Sequence, residues 1–361
     1  MIFNLSKQDT KKLKTLFETL ETNIGISDFY ISLIDNAKFI ARKIQIRQHF
    51  NDKVFFNAIC KTGFALPDIL SEKENDYQLS DIRHLELHQY INDPYFQRIH
   101  IENSHIADWK ISYSSYLPYE IFVWKENEII DSTYFREKTY IGFFEKPFDY
   151  IVVSQKKVPW MSITPNEIET MKLPIEQAKG TVLVLGLGLG YFPYMCSLKS
   201  EVNQVVIVEK DQNIIELFQT QILPQFEYRE KIIIVNGDAY DFINKNSGSY
   251  NMTFIDLWHT VEDGLEMYVK MIQQEKKNFG VYYYWIEKSM LMMIRRCLIA
   301  LLEEEYDGLP DSAFWQSNCF SDKLINSLHC YFRSRKFTKY DEIRDTLQDF
   351  SLRQIAKNLK I

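Results

Sequence analysis

The five cysteines of this 361-residue chain (Cys60, Cys196, Cys297, Cys319 and Cys330) include no CxxC pair, and their number is odd. A disulfide framework is therefore not expected, and a reducing, cytoplasmic compartment is the simpler expectation. Positive charge is not in excess either. The 42 Lys and Arg residues face 49 Asp and Glu, a formal charge of −7, which argues against nucleic acid or an anionic membrane as the main partner. Long apolar runs are missing too. The opening MIFNLSKQDTKKLKTLF has no continuous apolar stretch, and the run 290–302 is broken by Arg295 and Arg296, so neither a signal peptide nor a membrane span is expected. His84 and His88 lie in HLELH, which lacks the HExxH order of zinc peptidases; no metal site is expected, and the two rings should share one face of a helix. There is no internal repeat and no low-complexity tract.

With 46% hydrophobic and 15% aromatic residues, the chain can build a sizeable core, and its length implies about two domains. Residues 1–108 read as a helical N-terminal domain. Leu13, Leu16, Phe17 and Leu20 fall at i, i+3, i+4 and i+7, one buried face with lysines opposite. SEKENDYQ at 71–78 reads as a loop, and Asn92-Asp93-Pro94 as a helix stop. Around Trp109 the period changes. ISYSSYLPYEIFVW, KTYIGFF and DYIVVSQ predict a short antiparallel β segment over 109–158. Thr164-Pro165-Asn166-Glu167 then has the form of a helix start, with Thr164 as cap and Glu167 reaching back to it, and the helix should end near Gly180.

From Gly180 onward, short apolar runs alternate with helix signals. The runs are TVLVL (181–185), VVIV (205–208), IIIV (232–235), MTFI (252–255) and VYYYWI (281–286). Such strands belong in a parallel sheet covered on both faces, so 159–305 is predicted as a doubly wound, Rossmann-like α/β domain. Asp211 can cap a helix that Pro224 terminates, and Asp263 can open one that closes at Asn278-Phe279-Gly280. Met290, Ile294, Cys297, Leu298, Leu301 and Leu302 form the stripe of a further packed helix. Beyond Gly308-Leu309-Pro310 the chain reads as a polar helical tail, 306–361, suited to a cap or a partner surface.

The first of these strands runs into Gly186, Gly188 and Gly190. Glycines at such a turn let the backbone approach a ligand, and a following helix offers unpaired N–H groups. A dinucleotide fingerprint would need a third glycine where Tyr191 stands, and its ring would crowd a pyrophosphate. GxGxG followed by an aromatic resembles the first motif of class I S-adenosylmethionine (AdoMet)-dependent methyltransferases and of the related spermidine synthases. Over residues 160–290 that resemblance implies an AdoMet site formed by Gly186, Leu187, Gly188, Gly190 and Tyr191, with Glu209 on the ribose hydroxyls. It places Asp238 on the adenine amino group with Ala239 beside it, and Asp256 where donor and acceptor meet. The helix-capping reading of each acid stands beside it. Val184 replaces the acid most methyltransferases carry before the first glycine. Leu189 replaces an Asp of the spermidine synthases, and their DxxDP segment reads Asp256-Leu257-Trp258-His259, without its second acid.

The resemblance implies methyl transfer to a small molecule or protein, with Asp256 and His259 as candidate catalytic groups. An imidazole three residues beyond Asp256 titrates near neutrality and could take a proton. Trp258, Tyr191 and Trp160 are candidate pocket walls. Glu262, Asp263 and Glu266 suit either a polyamine or, as a first-turn cluster, the helix dipole. Aminopropyl transfer to a polyamine and a non-catalytic AdoMet-binding scaffold remain as alternatives, and a homodimer is open.

Overall fold

The computed structural model describes residues 1–44, 55, 58–60, 62, 82–308 and 320–360. The loop expected at 71–78 and the Leu309-Pro310 stop lie outside them. The N-terminal part contains β1 (Ile2–Phe3), α1 (Lys7–Asp35), α2 (Ala37–Lys43), β2 (Ile82–His84), α3 (Leu87–Ile91), α4 (Pro94–Arg98) and β3 (Ser104–Ile106). In α1 the expected stripe is buried, and Ser6 caps the helix by accepting the Asp9 N–H at 3.1 Å. The expectation of an all-helical stretch to residue 108 is corrected by β2 and β3. His84 closes β2 while His88 lies in α3, so the two share no helix face. The cause is tertiary. β2 pairs in parallel with a later strand, and the Leu85 N–H continues that pairing to Phe143 O at 3.0 Å. Asn92-Asp93-Pro94 does end α3, and Asp93 at once caps α4, accepting the Tyr95 N–H at 2.9 Å.

The next strands are β4 (Trp109–Tyr116), β5 (Phe122–Asp131), β6 (Arg136–Phe143), β7 (Phe148–Gln155) and β8 (Val158–Ser162). They form two sheets rather than one, in the orders β2-β6-β5 and β3-β4-β7-β8, each completed by a strand from the N-terminal part. After α5 (Pro165–Gln177) come β9 (Gly180–Leu185), α6 (Tyr191–Ser197), β10 (Val202–Glu209), α7 (Gln212–Leu217) and β11 (Ile232–Asn236). Then follow α8 (Ala239–Lys245), β12 (Met252–Ile255), α9 (Val261–Ile272), β13 (Val281–Tyr284) and α10 (Glu287–Asp307). β9 to β13 form one sheet in the order β11-β10-β9-β12-β13, parallel at every pair. This is the predicted Rossmann-like sheet, and its strand order reverses beside β9. Leu185 stands level with Val208 and with Ile255, so Gly186, Glu209 and Asp256 emerge together at the carboxyl edge.

Two helix boundaries differ from the expectation. Thr260, not Asp263, caps α9, while Asp263 returns to accept the Thr260 N–H at 2.8 Å. α9 also stops at Ile272, because the polar run 273–277 offers no apolar side to bury; 277–279 is a separate 3-10 turn. The tail comprises α11 (Phe320–Phe332), β14 (Lys336–Phe337), α12 (Tyr340–Thr346) and α13 (Asp349–Asn358). It is helical as predicted, but it is part of the core rather than a cap on it. β14 pairs with β1, and Leu328, Ile343, Leu352 and Ala356 join the apolar cluster that holds Leu13 and the parallel sheet. Arg295, 2% exposed on α10, donates to Leu347 O at 2.9 Å and pairs with Asp349. Among the described residues, no helix is long and apolar enough to cross a membrane.

Candidate functional site

A cavity of about 600 Å³ opens at the carboxyl edge of β9, β10 and β12, where the strand order reverses. Ligands of open parallel sheets bind at such a place. The sequence-predicted residues Gly186, Leu187, Gly188, Gly190, Tyr191, Glu209, Asp238, Ala239, Asp256 and His259 all line it. The roof comes from β4, β7, β8 and α5, through Trp109, Gln155, Trp160, Ser162 and Glu167.

The loop 186–190 is built for close approach. Gly186, Gly188 and Gly190 have φ of +94°, +56° and +74°. A Cβ on Gly186 would stand 1.8 Å from the Asp256 carbonyl oxygen, whereas one on Gly188 would meet only Asp256 Oδ2, at 3.9 Å. The Gly188 and Leu189 N–H groups find no acceptor among the described residues. Asp93, read from the sequence only as part of a helix stop, and Tyr95, which the sequence reading passed over, brace this loop. Tyr95 donates its hydroxyl to Leu189 O at 2.6 Å, and Tyr191, 5% exposed, donates to Asp93 Oδ2 at 2.9 Å.

The three acids at the strand ends are held differently. Glu209 accepts the Leu187 N–H at 3.1 Å on one oxygen and the Asp211 N–H at 2.8 Å on the other. A carboxylate has about four acceptor positions, so two remain for a ligand. Asp238 caps α8 through Oδ1, from the Tyr240 and Asp241 N–H groups at 2.9 and 3.1 Å, and its Oδ2 is unused among the described residues. Helix capping therefore describes Asp238 but not Glu209, since Asp211 caps α7. The Asp256 carboxylate accepts no hydrogen bond among the described residues; burial and then the Glu209 charge push it up to about 7.

Glu167 is the acid that sequence reading missed. It closes its predicted loop onto the Thr164 N–H at 3.2 Å and accepts the Ser162 hydroxyl at 3.2 Å. It also faces the cavity. Burial, together with the Asp256 charge, pushes it up to about 8. Glu167, Glu209 and Asp256 thus form an acidic wall, with Lys210 the one Lys or Arg among the described lining residues. A ligand carrying positive charge would favour the ionised form of Asp256 and Glu167 and so complement that wall. Trp258, Tyr191 and Trp160 do line the cavity, whereas Glu262 and Glu266 do not.

No family model matches this chain, and no curated protein does. Solved structures similar to part of it include the spermidine synthase of Thermotoga maritima, at 15% identity and a TM-score of 0.31, over 42% of this chain and 59% of that one. A putative O-methyltransferase from Klebsiella pneumoniae matches at 14% identity and a TM-score of 0.27, over 46% of this chain and 66% of that one. The O-methyltransferase TomG from Streptomyces achromogenes, in complex with SAM, matches at 12% and 0.26 over the same shares. Each match spans less than two thirds of the other chain. The Rossmann-like fold itself rests on the strand order and the parallel register.

The acidic wall has a consequence for the ligand-free protein. Asp256 and Glu167 bind protons more tightly folded than unfolded, so their contribution to stability is whole below the unfolded values of 3.8 and 4.5. It is lost as pH rises through about 7 and about 8. Between pH 5 and 8 the melting temperature of the wild type should fall by on the order of 5 °C more than that of Asp256→Asn. Parallel slopes in thermal scans would contradict the shifts.

Proposed function

We propose that the chain is an AdoMet-dependent methyltransferase acting on a small-molecule or protein acceptor. The observation that carries this reading is the convergence of the 186–190 loop, Glu209, Asp238 and Asp256 on one cavity at the sheet's reversal point. The donors and acceptors fit the group. Glu209 has acceptor positions left for two ribose hydroxyls, Asp238 Oδ2 for an amino group, and the Gly188 and Leu189 N–H groups for a carboxylate. Asp256 and Glu167, which line the same cavity, would ionise beside an ammonium or a sulfonium and complement it.

AdoMet, when bound, supplies a methyl group already activated on sulfur. The protein's part is placement and exclusion of water, worth about 7–11 kcal/mol of barrier when two reactants are held in line. Trp258, 6% exposed, and the half-exposed Trp160 line the cavity with Asp256 and would wall the acceptor. Aminopropyl transfer is a second reading, and Glu167 favours it. It supplies, from α5, a partner acid for Asp256 where the DxxDP segment lacks one.

Calorimetry with AdoMet, decarboxylated AdoMet and NAD tests both readings. AdoMet should bind, and Asp238→Ala should weaken it by roughly tenfold, the worth of one modest hydrogen bond. Absence of AdoMet binding removes the proposal, preference for the decarboxylated donor moves it to aminopropyl transfer, and binding without turnover moves it to a scaffold.

A further inference from the structure

His259 follows Trp258 and lines the same cavity. Its Nδ1 lies 2.9 Å from Asp263 Oδ2, while its Nε2 is buried and has no hydrogen-bond partner among the described residues. Burial raises the Asp263 carboxyl, but hydrogen bonds from the His259 ring and from the Thr260 and His259 backbone outweigh it and hold the group below its ordinary value. An ionised carboxylate only accepts, so Nδ1 carries the proton of the neutral ring and Nε2 carries a lone pair. Trp160 stands at 87° to the imidazole, with centroids 3.6 Å apart, and limits its rotation. Trp258 Nε1 is likewise buried without a partner among the described residues. Two neighbouring lining residues thus leave one donor and one acceptor unsatisfied, a costly state for buried groups unless a ligand completes them.

We propose that Asp263 is a positioning residue that fixes His259 Nε2 as the proton acceptor, and that the molecule methylated is an alcohol or a phenol. The inference rests on the methyl-transfer reading. A hydroxyl oxygen has two lone pairs and a proton: one pair accepts from Trp258 Nε1–H, the other attacks, and the proton goes to His259 Nε2. An amine nitrogen has a single pair and cannot both attack and accept. As the oxygen–carbon bond forms, the electron pair of the breaking carbon–sulfur bond stays on sulfur. The proton leaves the oxygen for His259, and the imidazolium then faces the Asp263 carboxylate.

Nitrogen-15 NMR of the full chain reads the tautomer without turnover, with His259→Gln assigning the signal. The wild type should show a protonated Nδ1 and a bare Nε2. Asp263→Asn should lose that fixed tautomer, while Thr260→Ala, which removes the α9 cap but keeps the carboxylate, should retain it. A wild-type Nε2–H overturns the proposal even if Asp263→Asn does not fold. Calorimetry on the same proteins separates the readings: AdoMet binding should survive Asp263→Asn, and its absence in the wild type would fail the methyl-transfer reading alone. With AdoMet, turnover on a panel of simple phenols and alcohols should drop about 10²–10⁴-fold in His259→Gln. Turnover confined to the matching primary amines would overturn the choice of acceptor.

Discussion

Alanine at Gly186 should yield a protein that melts on the order of 10 °C lower and no longer binds AdoMet. Two independent costs meet at this residue. Its φ of +94° lies where an L side chain is strained by about 1–3 kcal/mol. Its Cβ would stand 1.8 Å from the Asp256 carbonyl oxygen and 2.9 Å from the carbonyl carbon, which are backbone atoms with no rotamer to yield. Relief requires the ends of β9 and β12 to separate, against the Asp256 N–H to Leu185 O bond of 2.8 Å that sets their register. Gly188→Ala is the control. There the φ of +56° carries a similar backbone strain but the new Cβ meets only a carboxylate oxygen at 3.9 Å, so the loss of stability should be the smaller while the added methyl intrudes on the cradle. Thermal unfolding and calorimetry on the pair check both halves; a Gly186→Ala protein melting with the wild type would refute the argument.

The parts of the molecule that were legible in the sequence are those whose cause is local. A short apolar run set between helix signals is visible without knowing its neighbours, and all five strands of the parallel sheet were found that way. What the sequence hid depends on contacts made far along the chain. Glu167 reads as a capping residue, and it is one. Its second role exists only because α5 brings it near Asp256, some 89 positions later. Asp93 looks like turn chemistry and Tyr95 like nothing in particular, yet their partners are Tyr191 and Leu189. β2 and β3 are three-residue edges that form because longer strands recruit them, which no periodicity in HLELH or its surroundings announces. Asp263 reads as the cap of α9, but Thr260, three residues before it, is the residue that caps it. That leaves the Asp263 carboxylate free to hold the His259 ring as well.

Glu209→Ala should weaken AdoMet binding by on the order of 10²–10⁴-fold, the loss of two hydrogen bonds to a charged acceptor at about 1.5–3 kcal/mol each. The same substitution has a structural cost, because the Leu187 and Asp211 N–H groups lose their acceptor. Two part-buried donors left unmatched cost about 1–3 kcal/mol apiece, so a lower melting temperature alone would say nothing about the ligand. The two effects separate through Asp256. The Glu209 charge is one of the two causes that raise the Asp256 carboxyl, so without it Asp256 should ionise at lower pH. The pH-dependent loss of stability would then begin earlier on the pH scale while the ligand affinity falls. Glu209→Gln keeps one oxygen for one of the two N–H groups but turns an NH₂ on the other, and it removes the charge entirely. It should therefore reproduce the Asp256 shift and most of the affinity loss at a smaller structural cost. A Gln variant that binds AdoMet like the wild type would mean that Glu209 serves only to tie the glycine loop to β10.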